Sequence, residues 1–140
     1  MSVPVIVLLV FAGWTMLSMA VTVGSYRWGR ILHGHARIGE FSEYRIEGKG
    51  WYKRALRAHA NCVENLPVYA AIVVAIVATG VSSPVLDVLA VVLIAARVAQ
   101  TTVHIGWEHS DTVAAVRFTF FFIQFICMLW MGAYVALQAS

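Results

Sequence analysis

The stretch Arg57-Ala58-His59-Ala60-Asn61-Cys62-Val63-Glu64-Asn65-Leu66-Pro67 runs without a break into an apolar sequence that meets no further charge until Asp87. An uncharged run longer than about 18 residues is long enough to cross a bilayer, and residues 65–86 satisfy that length. Glu64 therefore stands at the edge of a membrane span. A carboxylate in hydrocarbon costs several kcal/mol unless it is paired or solvated, so Glu64 reads as a functional residue. Arg97 raises the same question, because it interrupts the apolar segment from about Pro84 to Gly106.

Working outward, residues 1–26 carry no charge before Arg27 and residues 118–140 carry none after Arg117. Four helices are expected, at about 3–25, 54–80, 84–106 and 112–138, with a loop at about 26–53. Composition agrees: 61% of residues are hydrophobic and 12% charged, with a mean hydropathy of +0.79. Soluble domains carry about 25% charged residues. The expected fold is an all-α, integral membrane four-helix bundle forming one domain over residues 1–140. The first span lacks a basic leader and its apolar part exceeds the usual secretory length, so it reads as a transmembrane helix.

Eight of the ten Lys and Arg residues (Arg27, Arg30, Arg37, Arg45, Lys49, Lys53, Arg54, Arg57) fall between the first two spans. The positive-inside rule makes that loop cytoplasmic and puts both termini on the opposite side. The net charge of +3 is thus a topology signal, with no case for nucleic-acid binding. A multi-pass protein of a bacterial inner membrane is expected. Cys62 and Cys127 fall in separate helices without metal-ligand spacing, which argues against a disulfide framework or a zinc site. His33 and His35 form only a weak metal pattern, and no metal is expected.

The short turn Gly80-Val81-Ser82-Ser83-Pro84 makes the second and third helices an antiparallel hairpin. Pro67 lies inside the second helix, where its missing N–H frees the Val63 carbonyl and favours a kink. On that helix Arg57, Asn61 and Glu64 fall within about 60° of one another. On the third, Arg97, Gln100, Thr101 and His104 are spaced i, i+3, i+4, i+7 and make a second polar stripe. At 1.5 Å per residue Glu64 lies about 10 Å beyond Arg57, and Arg97 about 13 Å before Gly106. A Glu64–Arg97 ion pair is therefore expected to be geometrically feasible, with Arg117 adding a second cation near that level. Guanidinium groups suit carboxylates, and a carboxylate beside them accepts from an ammonium group. Such a set fits a small zwitterionic or polyanionic ligand; a self-contained pair that fixes helix packing is the alternative.

The segment from Arg57 through Asn61 and Glu64 to Pro67 resembles the second-helix signature of the MAPEG family, the membrane-associated proteins in eicosanoid and glutathione metabolism. Arg97-Val98-Ala99-Gln100-Thr101-Thr102-Val103-His104 is similar to that family's third-helix arginine segment. The resemblance covers nearly the whole chain. It implies a trimer of four-helix bundles in which glutathione is held between subunits as a cosubstrate. Arg57, Asn61 and Glu64 would then grip the tripeptide, Arg97, Gln100 and His104 would line the cleft, and Arg27 or Arg30 would reach its carboxylates. Arg117 would be the catalytic residue, since a nearby cation lowers a thiol pKa from about 8.5 and the thiolate is the nucleophile. His104 and Phe118 depart from the eicosanoid-synthesising members, which tend to have Tyr at the first position, and one of which has Ser at the second. The chain looks closer to prokaryotic members.

The resemblance implies a glutathione transferase or peroxidase acting on lipophilic electrophiles or lipid hydroperoxides. The aromatic run Phe118, Phe120, Phe121, Phe122, Phe125 and Trp130 either lines a groove for such a substrate or faces lipid. Two other classes stay open: a non-catalytic member of the fold that binds lipid or a partner protein, and a small multidrug-type transporter. Arg57 and Arg97 argue against the transporter, because they repel a cationic substrate.

Overall fold

Gly80 adopts φ +68°, a left-handed conformation that ends one helix, and Pro84 opens the next after a four-residue turn. A residue without Cβ takes that conformation at no steric cost, and proline suits the first helical turn, where its N–H is not missed. The Ser83 hydroxyl accepts the Val85 N–H at 3.2 Å, and the Ser110 hydroxyl accepts that of Val113 at 3.2 Å to start the last helix. The computed structural model describes residues 1–41 and 48–140. Among these it contains four helices long and apolar enough to cross a membrane: α1 (Val3–Leu32), α2 (Gly50–Thr79), α3 (Pro84–Gly106) and α4 (Asp111–Ala139).

At 1.5 Å per residue α1 and α2 are each about 45 Å long, against a hydrocarbon core of about 30 Å. Both therefore continue past the apolar span: α1 runs on to Leu32, and α2 already begins at Gly50. Hydropathy marks where lipid contact ends, whereas the backbone ladder continues as long as the residues tolerate it. The loop expected over 26–53 shrinks accordingly, and Arg45 within it lies outside the described residues. One irregularity occurs in α1, a π-helical turn at Ala20–Gly24.

The α3–α4 interface is the most extensive; α2 packs on all three other helices, and α1 packs on α2 and α3, so that α1 and α4 occupy opposite corners. The inward stripe of α2 is Tyr52, Ala55, Ala58, Cys62, Tyr69, Val73 and Ile76. Alanines and a cysteine at close spacing let backbones approach, which is how helices associate where no hydrophobic effect drives them together. On α1 the corresponding stripe is Pro4, Val7, Phe11 and Thr15. Phe11 packs against Tyr69 with ring centroids 6.3 Å apart, and the Tyr69 hydroxyl donates to the Pro4 carbonyl at 2.9 Å. That bond joins α1 to α2 at the end of the bundle remote from the basic loop.

Tyr69→Phe removes this bond, and a net hydrogen bond is worth about 1 kcal/mol. The expected result is an earlier unfolding midpoint in detergent with helix content unchanged, read by circular dichroism.

Candidate functional site

Cys62 and Thr101 fix the register between α2 and α3, with Sγ and Oγ1 3.6 Å apart. Near the basic end, Arg54 Nε donates to the Ile105 carbonyl at 3.1 Å. That carbonyl belongs to the last turn of α3, where unpaired acceptors and the helix dipole both favour a cation. In this register Glu64 sits within about two residues, or about 3 Å, of the level of Arg97.

Level and direction are separate matters, and direction keeps the two charges apart within the chain. Cys62 faces α3, and a side chain two residues further on points about 200° away. Glu64 is accordingly exposed on the outer side of α2, in the company of Arg57. Arg97 is 1% exposed. The expected Glu64–Arg97 pair is not formed within one chain. The buried stripe of α2 is the small-residue one through Ala55, Ala58 and Cys62; the charged stripe turns outward.

Arg97 lies where all four helices meet. Its guanidinium carbon stands 5.2 Å from the Phe11 ring centroid of α1; the Thr101 hydroxyl, which donates to the Arg97 carbonyl, also touches Cys62 of α2. One turn on, Gln124 of α4 donates to Gln100 Oε1 at 2.9 Å and to the Phe120 carbonyl. Gln124 was not singled out by sequence reasoning, although an amide among the phenylalanines of the last span is a visible signal. Arg97 Nε and Nη2 and Gln124 Oε1 are buried without hydrogen-bond partners. Gln100 and Arg97 thus belong to the interior of the bundle, not to an open cleft.

A second group forms at the basic end. Arg54 and Arg57 of α2 and Arg117 of α4 stand near enough to the buried His104 of α3 for their charges to act on it, so α2 and α4 together make one cationic basket. Arg54 is the member that motif reasoning missed. Arg117 is half-buried, with Nε unpartnered. On the outer face beside it, Asn65 Nδ2 donates to the side-chain and backbone oxygens of Asn61, both at 2.7 Å. The acceptor of Asn61 is thereby used and its NH2 left to donate.

Arg27 and Arg30 belong to a third group. Tyr26 and Tyr52 stack at 4.1 Å, with Trp51 edge-on to Tyr26 at 5.5 Å. Arg27 Nε donates to the Tyr52 hydroxyl at 2.8 Å while its guanidinium lies 5.2 Å from Phe41. Arg30 lies 5.8 Å from Tyr26. A Cβ at Gly48 would stand 2.6 Å from the Tyr26 hydroxyl, so the chain passes this clamp only as glycine. Directly beyond Glu64 on α2, Val68 and Ile72 line an apolar groove of about 500 Å³ with Phe125, Met128, Leu129 and Gly132 of α4.

Because Glu64 and Arg97 do not touch, a double-mutant cycle of Glu64→Gln and Arg97→Met on unfolding in detergent is expected to be additive to within about 0.5 kcal/mol. Arg97→Met alone is expected not to lower stability, since it replaces a buried, partly unpartnered cation with a flexible apolar side chain.

No curated protein and no solved structure matches the chain. A family model does, over residues 4–137, which is essentially the whole sequence. With four helices fit to span a membrane and the arginine, asparagine and glutamate of α2 on one face, the chain is a multi-pass membrane protein that belongs to the MAPEG family.

Proposed function

We propose that this protein is a glutathione-dependent transferase or peroxidase whose cosubstrate sits on the outer face of α2 at the basic, cytoplasmic end. The observation that carries the reading is the exposure of Arg57 and Glu64 on the outside of a bundle whose remaining outer surface there is apolar. Charged side chains are not left against lipid. A neighbouring subunit with a polar ligand between the two would cover them, and a homotrimer supplies such a neighbour.

Glutathione matches the charges available. Its two carboxylates suit Arg57 and the basket that Arg54 and Arg117 form around His104, because guanidinium forks bind carboxylates in pairs. Its ammonium group suits Glu64, and the free NH2 of Asn61 donates to a peptide carbonyl. Arg27 and Arg30 reach the same end from α1. Arg117 is the candidate for the thiol: half-buried, with an unpartnered Nε, it favours the thiolate, which is the nucleophilic form. Attack of that sulfur on an electrophilic carbon gives a thioether as the bond to the leaving group breaks and that group departs with the electron pair; attack on a peroxide oxygen breaks the O–O bond and gives an alcohol and a sulfenic acid that a second glutathione reduces to disulfide and water. The groove lined by Val68, Ile72 and Phe125 offers an apolar track for the second substrate. Arg97 and Gln100 enter as supports behind the site.

The test is glutathione binding by calorimetry in nanodiscs. Arg57→Ala and Glu64→Gln are each expected to weaken binding at least tenfold while the assembly, sized by native mass spectrometry, stays intact. An intact assembly that shows no affinity for glutathione sinks the proposal.

A further inference from the structure

The buried positions of α1 are Pro4, Val7, Phe11 and Thr15, followed by Val23. The first four are separated by three or four residues, as an α-helical face requires, and Val23 follows eight residues after Thr15. At 100° per residue an unbroken α-helix would place Val23 about 120° away from Phe11, Arg27 about 160° and Arg30 about 100°. All three would face away from the bundle. Val23 is instead 1% exposed, in a cluster with Tyr52 and Ala55.

The π-turn at Ala20–Gly24 resolves the mismatch. Such a turn takes in one extra residue, so everything after it is set back by about 100°. Val23 then falls about 20° from Phe11, Tyr26 about 40° and Arg27 about 60°, while Arg30 lies in line with Phe11. Trp28 goes to the far side and is 58% exposed. The observed contacts follow from this phase: Tyr26 on Tyr52 and Arg27 Nε on the Tyr52 hydroxyl.

A π-turn disturbs the backbone ladder, and in lipid freed carbonyls need donors. Three hydroxyls donate to backbone carbonyls at and just before the turn. Thr22 donates to the Ser18 carbonyl, Ser25 to the carbonyls of Val21 and Thr22, and Ser18 to that of Thr15. They line the irregular turn and the turn before it.

We infer that the π-turn Ala20–Gly24, stabilised by the hydroxyls of Ser18, Thr22 and Ser25, is a phase-correcting element that turns Val23, Tyr26 and Arg27 toward the bundle. These hydroxyl residues are positioning residues: they touch no ligand and act through Arg27. The ligand-binding part of this inference rests on the glutathione reading above; the rotation itself does not.

The inference makes an asymmetric forecast. Deleting Val21, which is 62% exposed, removes the extra residue and leaves a regular α-helix with the same downstream phase. Inserting an alanine after Val21 adds a residue that the single π-turn does not absorb. The reporter is Val23→Cys, treated with N-ethylmaleimide in nanodiscs against the background of the buried Cys62 and Cys127. Deletion is expected to leave the introduced thiol unreactive and glutathione affinity within about twofold. Insertion is expected to raise labelling at least tenfold and to weaken glutathione binding at least fivefold. Ser18→Ala/Thr22→Val/Ser25→Ala should act like the insertion, and Ser18→Thr/Thr22→Ser/Ser25→Thr like the parent. A deletion variant that labels or does not assemble, or an insertion variant that stays unreactive, overturns the phase correction. The expected labelling pattern without any glutathione affinity in the parent upholds it and returns the failure to the glutathione reading.

Discussion

Hydrocarbon tolerates no uncovered carboxylate, and Glu64 faces outward from a helix whose neighbouring outer residues are Ala60, Val63, Pro67 and Val68. Much of the arrangement around the site follows from that conflict. Turning the charged stripe of α2 inward would bury Arg57 and Glu64 against α3 and expel Ala55, Ala58 and Cys62 from the contact. The small side chains allow α2 and α3 to approach closely, as the Cys62–Thr101 contact shows. The bundle keeps the close approach and leaves the charges for something beyond its own four helices to cover.

Arg97 meets the same cost by the opposite route. It is buried inside the bundle, its guanidinium carbon 5.2 Å from the Phe11 ring of α1 and its backbone carbonyl bonded by the Thr101 hydroxyl, which touches Cys62 of α2. A ring face attracts a cation more strongly when water is absent, and the Gln100–Gln124 bond ties α3 to α4 beside it. The two charges that look alike in the sequence therefore do different work. One is an exterior contact point, and the other an interior junction at the crossing of the helices.

The spans, the α2–α3 hairpin and the shared depth of Glu64 and Arg97 were legible because each depends on quantities that run along the chain, namely charge-free length, turn residues and rise per residue. The facing of the stripes was not. Helical spacing gives angles between residues of one helix and says nothing about its rotation relative to the next. The signal that could have set it was present in the Ala55, Ala58 and Cys62 spacing, since small residues mark the close helix contact. Arg54 escaped because its role depends on the Ile105 carbonyl at the far end of another helix. The π-turn was not legible, because Val23 is out of phase with Phe11 only once its burial beside Tyr52 and Ala55 is seen.

Separating the packing face of α2 from its charged face has a consequence for how such a site can vary. Within the chain, the buried stripe from Tyr52 to Ile76 carries the helix contacts, so Asn61 or Glu64 can change without opening a void in the core. His104 is different: it is buried, with the charges of Arg117 and Arg54 near enough to act on it, and a substitution there changes packing as well as the charge balance. In the proposed glutathione site, side-chain identity is therefore freer to drift at Asn61 and Glu64 than at His104. The constraint is tightest at His104, which is 6% exposed and is packed inside the bundle near the basic end.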